Sequence, residues 1–186
     1  RGADGMYTWF LRWPLGDAER RILADLGDPD MAKNGDKHYL ITGDSQAARS
    51  AGYKTPLPLE IAASDTGTRH RIPFYIADDV EGAADRIRQV LLKIKIWDLL
   101  SQDQITFLLN GESLAGETCL RDYGEPMTPY NWMWLELHLE NVRPSKGHNL
   151  LEIVLDSRAD GIISPLKIED IELLVQYGSY PSALSG

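Results

Sequence analysis

Cysteine is nearly missing from this sequence: Cys119 is the one thiol in 186 residues. No disulfide can form within the chain, and no CxxC or Cys/His spacing marks a structural zinc site. Long apolar runs are missing too. Nothing approaches the ~20 consecutive apolar residues of a membrane-spanning helix, so no membrane partner is expected. Positive charge is in deficit, with 19 Lys and Arg against 28 Asp and Glu and a formal net charge of -9. A protein that tracks phosphates needs a basic stripe, so nucleic acid is not an expected partner and an uncharged ligand fits better. There is no G-x-S-x-G elbow, no H-E-x-x-H and no phosphate-binding glycine loop. An initiator Met and a signal peptide are lacking as well. The start at Arg1 therefore reads as a fragment, a processed form or a trimmed chain, and the compartment stays open, export to the periplasm or outside included.

What is present is ordinary in bulk and informative in order. A hydrophobic content of 43% with 25% charged residues is that of a soluble globular protein and excludes disorder. The length allows one large β domain or a domain with a small appendage. "DGMYTWFLRW" has a strand composition. In the following "DAERRILADLGDP", Asp17 can cap a helix, Ile22, Leu23 and Leu26 form its apolar stripe, Gly27 can close it and Pro29 stops it. The polar "DPDMAKNGDK" then reads as a connection, with a boundary near Asp36.

From Lys37 onward the signals are β. "KHYLITG", "TPLPLEIA", "HRIPFYIADD", "QVLLKIKIWDL", "QITFLLNGESL", "TCLRDYG", "YNWMWLELHLENV", "NLLEIVLDSR" and "IEDIELLVQYG" are short β-branched or aromatic segments parted by turn residues. Asn110-Gly111 predicts a type I′ hairpin, whose two central residues need positive φ. With no helix between them, these segments predict an all-β, antiparallel sandwich of two sheets over residues 37–186, preceded by a short strand-helix appendage over 1–36.

One segment carries the functional question. In "YNWMWLELHLENV" the strand alternation puts Met133, Leu135, Leu137 and Leu139 on one face, and Trp132, Trp134, Glu136, His138 and Glu140 on the other. The first face is a core. The second joins two indoles, about 7 Å apart along the strand, to carboxylates and an imidazole. Sugar rings present C–H patches that stack on indoles and hydroxyls that bond to carboxylates, amides, Arg and His. Trp97, outward on its own strand, joins the row if the two strands pair. The face reads equally as a packing surface against the N-terminal helix or against another domain.

The run "LLKIKIWDLLSQDQITFLLNGESLA", a Trp-bearing strand, "KGHNLLEIVL" and "PLKIEDIELLVQY" together resemble galactose-binding-like jelly-roll domains over residues 70 to 178. The matching residues are Asn110, Gly111, Gly147, Asn149, Leu151 and Ile153. The segment "RGADGMYTWFLRWPLGDAERRILADLGDPDMAKNGDKHYL" looks like the end of a (β/α)8 glycoside-hydrolase barrel, with Trp9 and Trp13 at the carboxyl end of its last strand. The resemblance implies a carbohydrate-binding-module-like jelly roll beside the remainder of a glycosidase-like barrel, with a polysaccharide or oligosaccharide as ligand.

Three further possibilities follow from the residues. The loop "RDYGEPMTPYNW" offers Arg121, Asp122, Tyr123, Glu125 and Tyr130 either as sugar contacts or as local packing. "ADDVEGAAD" supplies Asp78, Asp79, Glu81 and Asp85, with Asp78 and Asp79 as candidate ligands of a structural calcium; such loops are more often simply solvated. As an enzyme in its own right, a β-sandwich hydrolase or lyase, the chain would need a carboxylate pair. Glu136 and Glu140 stand ~13 Å apart along a strand, beyond the ~5 to 9.5 Å of glycosidases, unless a cross-strand residue such as Glu152 shortens the gap. His138 reads as an outward polar residue rather than a base. The expectation is thus a non-catalytic sugar-binding module, with Trp132, Trp134, Glu136 and His138 as contacts and Trp97, Arg121 and Tyr123 as secondary choices; the alternatives are a ligand-free accessory domain and the β-sandwich enzyme.

Overall fold

The computed structural model describes residues 35–43, 54–123 and 131–178, together with Gly16, Asp17, Arg20, Lys33 and Gly52 as single positions. The chain divides into two compact units, Arg1–Gly35 and Asp36–Gly186. In the first, Asp17 and Arg20 are helical, and the Arg20 N–H donates to Gly16 O at 3.1 Å. That bond is a helical i to i−4 link, so Gly16 and not Asp17 precedes the first turn. Lys33, expected in a polar connection, is also helical. The expected strand with Trp9 and Trp13, and the stripe Ile22, Leu23 and Leu26 with Gly27 and Pro29, lie outside the described residues.

The second unit is an antiparallel β-sandwich. Its strands are β1 (Lys37–Thr42), β2 (Leu59–Ile61), β3 (Arg69–Ile76), β4 (Ile87–Trp97), β5 (Gln104–Leu109), β6 (Glu112–Ser113), β7 (Thr118–Asp122), β8 (Trp132–His138), β9 (Gly147–Ser157) and β10 (Leu166–Tyr177). One sheet runs β1-β10-β4-β8-β7, with β2 also on β10; the other runs β3-β9-β5-β6. Alternation fixes what each strand buries. Val90, Leu92, Ile94 and Ile96 of β4, Met133, Leu135 and Leu137 of β8, and Ile171, Leu173 and Val175 of β10 face inward, against Ile72 and Ile76 of β3, Phe107 and Leu109 of β5 and Leu151, Ile153 and Leu155 of β9. Each such side chain contributes roughly 1.5–3 kcal/mol when taken fully out of water.

The Asn110-Gly111 hairpin forms as the dipeptide predicts. Leu109 pairs with Glu112 across it, and φ is 53° at Asn110 and 89° at Gly111. The same asparagine reaches β9. Its Nδ2 donates to Asn149 Oδ1 at 2.9 Å, and its Oδ1 accepts from Leu150 N at 2.9 Å. Asn149, buried, also accepts from Ser145 N and donates to the carbonyls of Ser145 and Gly147. Gly147 has φ of 101°, a value that L side chains rarely adopt. Asn110 and Asn149 thus form a lock between one hairpin and one strand, which is structural work.

Glu117 is a second lock. Its carboxylate accepts the backbone N–H groups of Glu140, Asn141 and Val142 at 2.7, 2.9 and 2.8 Å. Burial alone would raise this carboxyl; the three N–H donors outweigh burial and hold it below its ordinary value. Glu140 therefore sits in a turn past the end of β8 and does not continue the row of Trp132 to His138.

Candidate functional site

The outward face of the larger sheet can be read row by row from the register. Lys167, Trp97 and Trp132 lie side by side on β10, β4 and β8. The next row is Asp170, Lys95, Trp134 and Asp122, and the one after it Glu172, Lys93, Glu136 and Leu120. β4 and β8 do pair, so Trp97 joins Trp132 as a direct cross-strand neighbour and Trp134 follows one row on. Met133, Leu135 and Leu137 between them are buried, and the two indoles of β8 are partly exposed.

Lysines lean across this lattice. The Lys95 ammonium lies 5.0 Å from the Trp132 ring centroid, Lys93 5.2 Å from Trp134 and Lys167 5.4 Å from Trp97, within reach of cation–π attraction. Their charges are answered at close range. Lys93 pairs with Glu136 at 2.8 Å, Lys95 with Glu169 at 2.9 Å and Lys167 with Glu169 at 3.0 Å. The Trp97 indole N–H donates to Glu169 at 3.0 Å. His138 Nδ1 meets Gln89 Nε2 at 2.8 Å.

Glu169 reaches this place through a β-bulge. The register of β10 on β4 shifts between Ile168 and Asp170, so the extra residue and its successor can both serve one face. Burial alone would raise the Glu169 carboxyl; the bonds from Lys95, Lys167 and Trp97 win and bring it from 4.5 down to about 2. The sign of the stability effect follows: a depressed carboxylate contributes fully above the unfolded value near 4.5 and loses its contribution as pH falls toward about 2. We expect the thermal midpoint of the wild type, followed by circular dichroism, to drop more steeply over this interval than that of Glu169→Gln. Parallel slopes would remove Glu169 from the acid response.

The secondary candidates separate. Arg121 is on β7 opposite Leu135, the side away from Trp134, and lines a cleft of about 450 Å³ with Cys119, Phe107, Leu135 and Leu137. It belongs to the strand of "TCLRDYG", at the point where the loop segment "RDYGEPMTPYNW" begins. Tyr123 is exposed just past β7, and Glu125 and Tyr130 lie outside the described residues. Glu152 is on β9 in the other sheet and does not shorten the distance between Glu136 and Glu140.

The acidic segment after β3 is not simply solvated. Asp78 is buried and accepts hydrogen bonds from the Tyr39 and Tyr177 hydroxyls, the latter at 2.6 Å, with Lys37 4.0 Å away. Burial and Asp78 push the Tyr39 hydroxyl up to about 12 and raise that of Tyr177 as well, so both remain donors. Asp79 accepts from Gly82 N at 2.9 Å, closing a turn that seats Val80 and Ala83 in the core. Asp78 and Asp79, the candidate calcium ligands, serve separate partners, and among the described residues no three His, Cys, Asp or Glu side chains form a metal-binding group.

Residues not singled out in the sequence, Lys93, Lys95, Lys167 and Glu169, complete the face. The alternation in "LLKIKIWDL" carried the signal for the two lysines of β4; the bulge that brings Glu169 had none. Compared with known proteins, the chain matches no protein-family model and no curated protein.

Proposed function

We propose that this β-sandwich is a non-catalytic carbohydrate-binding module of the jelly-roll, galactose-binding-like kind, belonging to a glycoside-hydrolase-like protein. The observation that carries the reading is the placement of Trp97, Trp132 and Trp134 at adjacent positions on one outward sheet face. Three indoles at adjacent positions of one face suit an extended neutral polysaccharide, and the interleaved Lys93, Lys95, Glu136 and His138 supply donors and acceptors for its hydroxyls. Stacking provides the affinity and the polar groups the selectivity.

A second reading is favoured by a specific observation. Each of the three indoles already carries an ammonium near its ring, and Glu136 and Glu169 are already paired. Such a saturated lattice also suits a surface that packs on a neighbouring domain without any ligand. Affinity electrophoresis through gels of neutral polysaccharides separates the two. On the binding reading the wild type is retarded by at least one polymer, and Trp134→Ala weakens that retention by roughly tenfold, the scale of one good aromatic contact. Equal mobility of wild type and variant in every gel supports the packing surface.

A further inference from the structure

The outward face of the smaller sheet differs in chemistry. Along β3, Arg69, Arg71, Pro73 and Tyr75 all project outward and are exposed, while His70, Ile72, Phe74 and Ile76 turn inward. The stripe is roughly 20 Å long by strand geometry. At its far end the Tyr75 ring meets His148 of β9 edge to face, with centroids 5.3 Å apart. There the stripe runs into a cavity of about 460 Å³ at the edge between the two sheets, whose lining includes Pro73, Tyr75, His148 and Lys54.

Between the two arginines lies an unusual acid. Glu152, across β3 from Arg71, is only 3% exposed although it belongs to the outward face of its sheet. Its carboxylate stands 3.4 Å from Arg71 Nε and 3.6 Å from Arg69 Nη1. Those guanidinium-bearing side chains are nevertheless 69% and 58% exposed. One buried carboxylate therefore anchors two cations from beneath. A guanidinium carries five N–H donors, so most of those on Arg69 and Arg71 still face solvent. Two positive charges share this one buried negative; Asp156, the next outward carboxylate of β9, accepts from the Thr106 hydroxyl instead.

We propose that this stripe is a second binding site, for an anionic polysaccharide whose sugars bear carboxylates. Arg69 and Arg71, about 7 Å apart along the strand, fork to carboxylates on the chain. The Tyr75 ring takes the C–H face of a sugar, and the cavity with Lys54 receives the next unit. Sparse cations suit a polymer with charges set apart along it. A nucleic-acid duplex, with one phosphate charge per ~1.7 Å of axis, would meet stronger repulsion from the acidic remainder of the protein than a polymer with one carboxylate per sugar. The site is separate from the Trp97–Trp132–Trp134 face, and its ligand class is different.

The test uses the purified chain in affinity gels of polygalacturonate, of alginate and of methyl-esterified polygalacturonate, in which the same backbone has lost its charge. The wild type should be retarded by the first two, less so as salt rises, and not by the ester. Arg69→Gln/Arg71→Gln should weaken retention at least tenfold, and Tyr75→Ala severalfold. Because the double variant leaves Glu152 buried without a cation, Arg69→Gln/Arg71→Gln/Glu152→Gln is measured beside it, with circular dichroism confirming the fold. Wild-type retention by that triple variant would overturn the proposal. So would failure of the wild type to bind either polyuronate, or equal retention by single-stranded DNA with the same sensitivity to the arginines. Retention by neutral polymers reports on the indole face separately, so failure at one face does not count against the other.

Discussion

Asp103→Ala is expected to lower the unfolding free energy by about 3–5 kcal/mol, the scale for stripping a buried ion pair of one partner. The Asp103 side chain has no exposure and that of Arg158 only 5%. The carboxylate accepts from the Arg158 guanidinium, from Leu100 N at 2.7 Å and from Ala159 N at 2.8 Å. Arg158 in turn donates to Asp98 O at 2.8 Å and Ser164 O at 3.1 Å. The pair thus ties the turn after β4 to the turn after β9. Alanine leaves a buried cation and two N–H groups without their acceptor, whereas Asp103→Asn keeps an acceptor oxygen and should cost less. Urea unfolding of the three proteins measures the order. A loss below about 1 kcal/mol for the alanine variant, the scale of an exposed pair, would show that the pair contributes no more than a surface contact.

Asn149→Ala should cost about 2–4 kcal/mol. The side chain makes two acceptor and two donor contacts besides packing between the β5–β6 hairpin and β9. Removing it strands Ser145 N and frees Asn110 Nδ2, and a buried polar group without a partner costs about 1–3 kcal/mol. Asn149→Asp retains the oxygen that accepts from Ser145 and Asn110 but sets a second, charged oxygen against the two carbonyls in a buried place, and should cost at least as much as alanine. Thermal and urea midpoints check the series. An alanine variant as stable as the wild type would mean that the hairpin is held by backbone pairing alone.

The parts of the structure that were legible in the sequence are those set by short-range geometry. Period-two alternation in "YNWMWLELHLENV" placed Met133, Leu135 and Leu137 inside and the indoles outside, because a pleated strand leaves no other choice once one side is buried. Asn110-Gly111 announced its turn through the φ angles it tolerates. Partners across space were not legible. Nothing local says that Asp78 will find Tyr39 and Tyr177, or that Glu117 will gather three backbone N–H groups. The side that Arg121 takes was not legible for the same reason: one step along β7 decides between the cleft and the indole face, and that step depends on its pairing with β8. Net charge is an average over the whole chain. The total of -9 does not show where charge sits: Arg69 and Arg71 gather on one stripe with Glu152 beneath them.

The bulge in β10 also decides which changes in chain length this strand tolerates. Ile168 keeps its partner Ile96 and Asp170 keeps Lys95 whether or not a residue intervenes. Glu169 is therefore the one place here where a deletion would leave every neighbour facing as before, while a deletion elsewhere in the strand would turn its apolar side chains toward water. The core can do without this residue; the lysines and the indole that converge on its carboxylate cannot.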